Sequence, residues 1–336
     1  MKAWRDGARV LCTGGAGFIG HHFVEYLLEE TAAEVVILDR LSGAGDQGRL
    51  AALDCWERER SRVRPFWHDL KAPLSDSILG RIGTVDAIVH FAASSHVDNS
   101  IADPALFVLD NVLGTTNLLT AARTILAPSG LFINFSTDEV FGPVAPGEAA
   151  KTESDAWRPS NPYSGSKAGQ TAMGLAFHRT YGVPVVTTYS MNVYGERQHV
   201  EKYVPKVIRA VLSGEELTVH IGHGGRPGSR TWLHAANVAE AVAHILDVGK
   251  AGDAYNIVTG DERDNFHVAQ AVAEALGMKL HYRTEAGSVS RPGYDARYSI
   301  DGSRLAASGW KPSLSFIDGL ERTVRWTAAH REWVGL

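Results

Sequence analysis

The segment TGGAGFIG, residues 13–20, ends one apolar run and opens an amphipathic one. It satisfies G-x-G-x-x-G through Gly15, Gly17 and Gly20, and G-x-x-G-x-x-G through Gly14, Gly17 and Gly20. Glycines let a backbone turn tightly and approach a pyrophosphate, whose charge then rests at the positive end of a helix. The motif carries meaning only between a strand and a helix. ARVLCT (8–13) supplies the strand and FIGHHFVEYLLEE (18–30) the helix. EVVILD (34–39) forms a second strand, ending on Asp39 about 20 residues further on, where an acid hydrogen-bonds an adenosine ribose. A carboxylate there repels a 2′-phosphate and favours NAD over NADP. Arg40, its neighbour, leaves that choice open.

The same rhythm continues outward. RVRPFWH (62–68), DAIVHFA (86–92), LFINFS (131–136) and PVVTTYS (184–190) are further short strands, separated by helices over 103–126 and 162–181. Asp103–Pro104 and Pro162 suit helix starts, because proline at the first helical position loses no hydrogen bond. Apolar strands alternating with helices predict an α/β fold: a Rossmann-type doubly wound parallel sheet covered on both faces. After Met191 the rhythm breaks into glycine-rich HIGHGGRPGSR (220–230) and loop-rich RTEAGSVSRPGYD (283–295), before a closing helix near 315–331. The expected division is an NAD-binding domain over 1–190 and a smaller C-terminal domain over 191–336. Some later segments are expected to return to the first.

Of 336 residues, 44% are hydrophobic and 21% charged, with a net charge of −5, which argues against general nucleic-acid affinity. The only cysteines, Cys12 and Cys55, lack any metal-ligand spacing. They fit a reducing cytosol, and no metal is expected. No apolar run approaches about 18 residues, so no membrane segment is expected either and the reading is a soluble, cytoplasmic protein.

In NPYSGSK (161–167), Tyr163 and Lys167 stand four residues apart on one helix face. Tyrosine titrates near 10, so a phenolate at neutral pH needs roughly 4 kcal/mol of stabilisation. One ammonium at about 4 Å, at an effective dielectric near 20, supplies about that much. Such a pair alone also fits a bare surface. Behind a dinucleotide cradle it answers a need: Tyr163 can take a hydroxyl proton while the same carbon gives hydride to NAD.

STDEVFG (136–142) sets two acids side by side just after a strand. Together with the cradle, YSGSK (163–167), FAASSHVDNSI (91–101), VEKYVPKVI (200–208), RPGYDARYSID (291–301) and SGWKP (308–312), it resembles the extended short-chain dehydrogenase/reductase family. Within that family the resemblance is to the dTDP-glucose 4,6-dehydratase branch, almost end to end. It implies NAD-dependent dehydration of a nucleotide-diphosphate hexose, with dTDP-glucose the favoured substrate. A ketone made at C4 acidifies the C5 hydrogen, so the site needs a base and an acid whose pKa values are pushed apart. Adjacent carboxylates can do this, since mutual repulsion raises one of them. They can converge on one substrate only if the strand has already ended.

By the resemblance Glu139 takes the C5 proton, Asp138 protonates the C6 oxygen, and Thr137 hydrogen-bonds the C4 oxygen. Tyr163 and Lys167 complete the catalytic set. The cofactor is expected on Gly14, Gly17, Phe18, Ile19, Gly20, Asp39, Arg40, Leu41, Ser42, Asp69, Leu70, Ala92, Ala93 and Val193, besides Tyr163 and Lys167. Substrate contacts are expected from Ser95, Thr137, Asn192, Lys202, Tyr203, Arg230, Asn265, Arg291 and Tyr294. The resemblance also implies a homodimer built on the helices near 103–126 and 162–181. Departures cluster around the substrate: a longer loop before Arg230, Thr231 for aspartate, Ser94 for glutamate, Asn99 for arginine, Tyr294 for histidine, and Asp110 for a small residue. A UDP-hexose dehydratase, a 4-epimerase and a non-catalytic NAD-sensing protein are the alternatives. The acid pair counts against an epimerase, which has no use for it, while a UDP-hexose dehydratase would share it.

Overall fold

The computed structural model describes residues 7–42, 45–145, 147–222, 227–260, 262–286 and 297–336. Strands β1 (Arg9–Thr13), β2 (Glu34–Asp39), β3 (Val63–Trp67), β4 (Val85–His90), β5 (Leu126–Thr137) and β6 (Val185–Ser190) lie within the first 190 residues. Short β7 (Asn192–Tyr194), β8 (Leu217–Ile221), β9 (Ser229–His234), β10 (Ala254–Ile257), β11 (Glu262–Asp264) and β12 (Tyr282–Ala286) follow. The central sheet runs β10-β6-β5-β4-β1-β2-β3, with every pairing parallel. The expected doubly wound sheet is present. The order reverses at β1 and β4, so a crevice opens beyond their carboxyl ends, the place where ligands bind in such sheets.

Each face of the sheet buries its own apolar layer. Phe23, Val24 and Leu27 of the first helix (Phe18–Glu30) pack with Val10, Val35 and Ile37 on one side. Leu118, Leu119 and Ala122 pack with Leu11, Ile88 and Phe132 on the other. Successive strand side chains point to opposite faces, which is why residues 10 and 11 join different layers.

The later segments divide. The Ala235–Val248 helix packs Val238, Val242 and Leu246 into the first layer, and β10 pairs with β6 in the central sheet. The helices Tyr203–Ser213, Asn265–Leu276 and Phe316–Ala329 share a separate core of Val207, Ile208, Val268, Val272, Leu320 and Val324. Beside it lie the three-stranded sheet β11-β9-β7 and the pair β12-β8.

Pro104–Ile125 is the one helix among the described residues long and apolar enough to cross a membrane, and half of it is buried in the fold. It is interrupted by a π-helical turn, Val108–Leu113, where a regular helix was expected. Such turns concentrate at functional sites.

The glycine turn is fixed by crowding. Gly14 has φ 69°, in the left-handed region that other residues avoid. A Cβ on Gly20 would stand 2.1 Å from the Gly14 carbonyl oxygen. Gly20→Ala is therefore expected to lose about 2 kcal/mol or more in urea denaturation, the usual range for overpacking. A loss within experimental error would show that the turn and helix are not held in contact.

Candidate active site

β5 pairs in register with β6 up to Thr137 and Ser190, and extends past His90, the last residue of β4. Asp138–Phe141 then turn as a single 3-10 coil. The strand has ended before the acids begin, so the alternation that would part them no longer applies. Thr137, not an acid, caps the turn: its Oγ1 accepts from the Glu139 N–H at 3.3 Å and donates to Asp138 Oδ1 at 3.0 Å.

The two acids occupy unlike surroundings. Asp138 is 3% exposed, and its carboxyl is pushed up to about 7 by burial first and by the charge of Glu139 second. The positive charge of Arg230 offsets part of that shift. Glu139 is half-buried, and Asn161 Nδ2 donates to its Oε2 at 3.2 Å. Asn161 also caps the Pro162–Tyr181 helix, its Oδ1 accepting from the Ser164 N–H at 2.8 Å. One residue thus starts the Tyr163 helix and steadies Glu139. Sequence reasoning left Asn161 out, although it stands at the head of the quoted NPYSGSK.

Tyr163 and Lys167 share a buried face of that helix. Lys167 Nζ donates to the Phe135 carbonyl at 2.7 Å and to Gln170 Oε1 at 2.6 Å. Gln170 is held in turn by Asn134 Oδ1, 2.7 Å from its Nε2. The expected lowering of the phenol by this lysine is not found. Burial and then Glu139 raise the Tyr163 phenol above its ordinary value, while the Thr137 hydroxyl works the other way. Burial also brings the Lys167 ammonium down to about 7, so the lysine itself is a weakened cation. His90, pushed down to about 3 by burial and then by Lys167, is neutral between Thr13 and Thr115.

The cradle meets the requirements for a dinucleotide. Gly17 precedes the first helix without a side-chain cap, and no acid lies in the first turn, which leaves its leading N–H groups for an anion. Asp39 Oδ2 accepts from the Ala16 N–H and Oδ1 from the Leu41 N–H, tying the glycine turn to the loop after β2. Leu41 adopts φ 54°, an uncommon conformation for a branched residue and one that clusters where ligands bind. Leu70 and Ala92 flank the same crevice: the Leu70 carbonyl is held by Asn117, and the Ala92 N–H donates to Thr13 Oγ1.

Among the residues expected to hold substrate, Lys202 Nζ reaches the Ser95 carbonyl at 3.4 Å. Tyr203 donates its hydroxyl proton to the Asn265 carbonyl at 2.6 Å. Arg230 lies over the Tyr298 ring, and its charge acts on Asp138. Asn192 is exposed on β7, and Val193 stands beside it, half-buried. Arg291 and Tyr294 lie outside the described residues, as do residues 223–226 of the variant loop. Asn111, also missed in the sequence, bridges the Ser94 backbone and Ser166 Oγ from the π turn. Nothing in the sequence announced a π turn, so no signal marked it.

A glycine cradle across a switch point from a Tyr/Lys helix defines an extended short-chain dehydrogenase/reductase. A family model described as GDP-mannose 4,6 dehydratase matches residues 11–323, and the chain belongs to that family. A dTDP-glucose 4,6-dehydratase of Shigella flexneri is 37% identical over 97% of this chain and 94% of that protein. The low-salt glycan biosynthesis protein Agl12 of Haloferax volcanii is 38% identical over 94% and 97% respectively. Among solved structures, DesIV, a dTDP-glucose 4,6-dehydratase of Streptomyces venezuelae with NAD bound, superposes with TM-score 0.87. It is 40% identical and covers 97% of this chain and 99% of that one.

The raised Asp138 has a measurable consequence. Unfolded, its carboxyl ionises near 3.9; folded, it keeps its proton to about 7. Between those values the native state binds the extra proton, so Asp138 stabilises at low pH and that contribution disappears as pH rises towards 7. Asp138→Asn should gain on the wild type by roughly 3 kcal/mol between pH 5 and pH 8 in urea denaturation. Parallel stability curves for the two proteins would exclude a protonated Asp138.

Proposed function

We propose that this protein is an NAD-dependent nucleotide-diphosphate-hexose 4,6-dehydratase acting on dTDP-glucose. The observation that carries the reading is the pair of acids at the end of β5, one kept protonated by burial and the other steadied by Asn161. A redox step alone would use only Tyr163 and Lys167. An acid and a base together serve an elimination.

Held by the glycine turn of Gly14, Gly17 and Gly20 and by Asp39, NAD would supply the hydride chemistry between the sugar C4 and C6. The remaining work falls to the chain. Tyr163 takes the C4 hydroxyl proton; its phenol is raised by burial and by Glu139, and the positive ring of bound NAD would favour the phenolate. Thr137, between phenol and acids, holds the C4 oxygen. Glu139 removes the C5 proton, which the new C4 carbonyl has acidified. The C6–O bond then breaks and the oxygen leaves as water with the proton of Asp138. Glu139 returns its proton to C5 as C6 is reduced, and Tyr163's proton passes to solvent while Asp138 regains one. The sum is substrate to 4-keto-6-deoxy sugar plus water, with no net oxidation. Lys202, Tyr203, Asn265 and Arg230 gather where the diphosphate and sugar would lie, and Arg230 is suited to phosphate or carboxylate by its planar fork.

The reading extends to assembly and place. Ile101, Val108, Leu109 and Leu113 leave an apolar face exposed at and beside the Pro104–Ile125 helix. A second copy of this chain, packed on that face, makes the working unit a homodimer. The cytoplasm suits Cys12 and Cys55, both buried free thiols.

Tyr163→Phe should lower formation of the keto product from dTDP-glucose by about a thousand-fold, within the range for losing a positioned proton acceptor. Alkaline absorbance of the product and chromatography of released NAD provide the readouts. Undiminished turnover, or faster turnover of UDP-glucose by the wild type, would overturn the assignment. Leu109→Glu should convert a dimer into monomers in light scattering, and an unchanged mass would place the interface elsewhere.

A further inference from the structure

Arg40 follows Asp39 at the end of β2, where an arginine accommodates the 2′-phosphate of NADP in folds of this kind. On sequence alone it weakens the preference for NAD. In the structure its guanidinium is already engaged. Nη1 donates to Asp110 Oδ1 at 2.6 Å and Nη2 to Asp110 Oδ2 at 2.7 Å, a parallel two-pronged pair across 70 residues of chain. Such forked pairs are among the strongest charge-assisted contacts and also fix orientation. Asp110 is firmly seated, 9% exposed on the π turn, with Ser94 Oγ donating to its Oδ2 at 2.6 Å.

The neighbouring charges are balanced in the same way. Lys71 Nζ lies 3.3 Å from Asp69 and 3.8 Å from Asp110, and Arg40 Nη1 lies 3.6 Å from Asp69. Two cations are thus matched by two carboxylates, with Asp39 contributing a further negative charge beside them. A phosphate at the ribose 2′ position would find no uncompensated cation in this group. It would have to separate Arg40 from Asp110 and leave a buried carboxylate without its partner, which is costly.

We propose that Asp110 is a cofactor-selectivity residue: by clamping Arg40 it withholds the arginine that directly follows the ribose acid and so confines the pocket to NAD. The inference rests on the NAD-dependent reading above and adds to it the residue that enforces the choice. Arg40, Asp110 and Ser94 act as one device.

The test is isothermal titration of NAD, NADP and adenosine 2′,5′-bisphosphate into the full-length protein after removal of bound dinucleotide. The wild type should bind NAD and discriminate against both 2′-phosphates. Asp110→Ala and Asp110→Asn should each reduce the NADP-to-NAD ratio of dissociation constants by about ten-fold, one charge-assisted contact's worth. Adding Arg40→Ala to Asp110→Ala should reverse that gain. If either single variant binds NAD with the wild-type ratio, Asp110 does not set selectivity and the proposal fails. A gain that survives removal of Arg40 overturns it too. A wild type that binds no NAD would overturn the functional reading itself, a result distinct from the other two.

Discussion

The chemistry of this protein depends on where β5 stops. Parallel strands place all their carboxyl ends on one edge of the sheet. β5 keeps its pairing with β6 to Thr137 and overshoots β4, so its end projects into the crevice at the switch point. There the backbone turns at once, and two successive acids that a strand would have sent to opposite faces share one space. Lys167 reaches back to the Phe135 carbonyl of the same strand, which locks the Tyr163 helix against it. Moving that terminus by one residue would exchange which side chains face the crevice.

Burial is then used in two opposite ways. Asp138 loses water and feels the charge of Glu139, which together outweigh the opposing charge of Arg230, and its carboxyl is pushed up to about 7. Asp110 is also withdrawn from water, and burial works to raise it. The Arg40 fork and the Ser94 hydroxyl outweigh that effect and hold it below the usual carboxylate range. One buried carboxyl group is therefore suited to give a proton, and the other to hold a charge in place. Desolvation alone does not decide the state of an acid; the partners that accompany it do.

The same principle operates where the later segments meet the first helix. His21 and His22, side by side on that helix, are fully buried. Arg197 Nε donates to His21 Nε2 at 2.8 Å, and Glu196 lies 3.2 Å from His234 Nε2 and 2.6 Å from Arg322 Nε. Burial opposes the charge of Glu196, yet these neighbours hold it well below the usual range. A polar seam of this kind makes a junction specific rather than merely adhesive, since a shift would break the Arg197–His21 and Arg322–Glu196 contacts. Two adjacent histidines in a helix gave no hint of it.

Much of the fold could be read directly from the chain. Glycine spacing, strand rhythm, the proline before Tyr163, and the acids after Ser136 are local signals, set by backbone sterics and short-range periodicity. β7 to β12 escaped notice because short strands have too few residues to show a period, and they owe their existence to distant partners. The π turn, the second bond of Asn161, the raised phenol and the clamp on Arg40 escaped for the same reason. The bond of Asn161 to Glu139 spans 22 positions and the clamp on Arg40 spans 70, and such groups meet in a medium of low dielectric, where distance and water access set the energy. Sequence determined which groups were available and on which elements they stood. Tertiary structure alone decided which of them would be charged, because charge is settled by the neighbours that folding supplies.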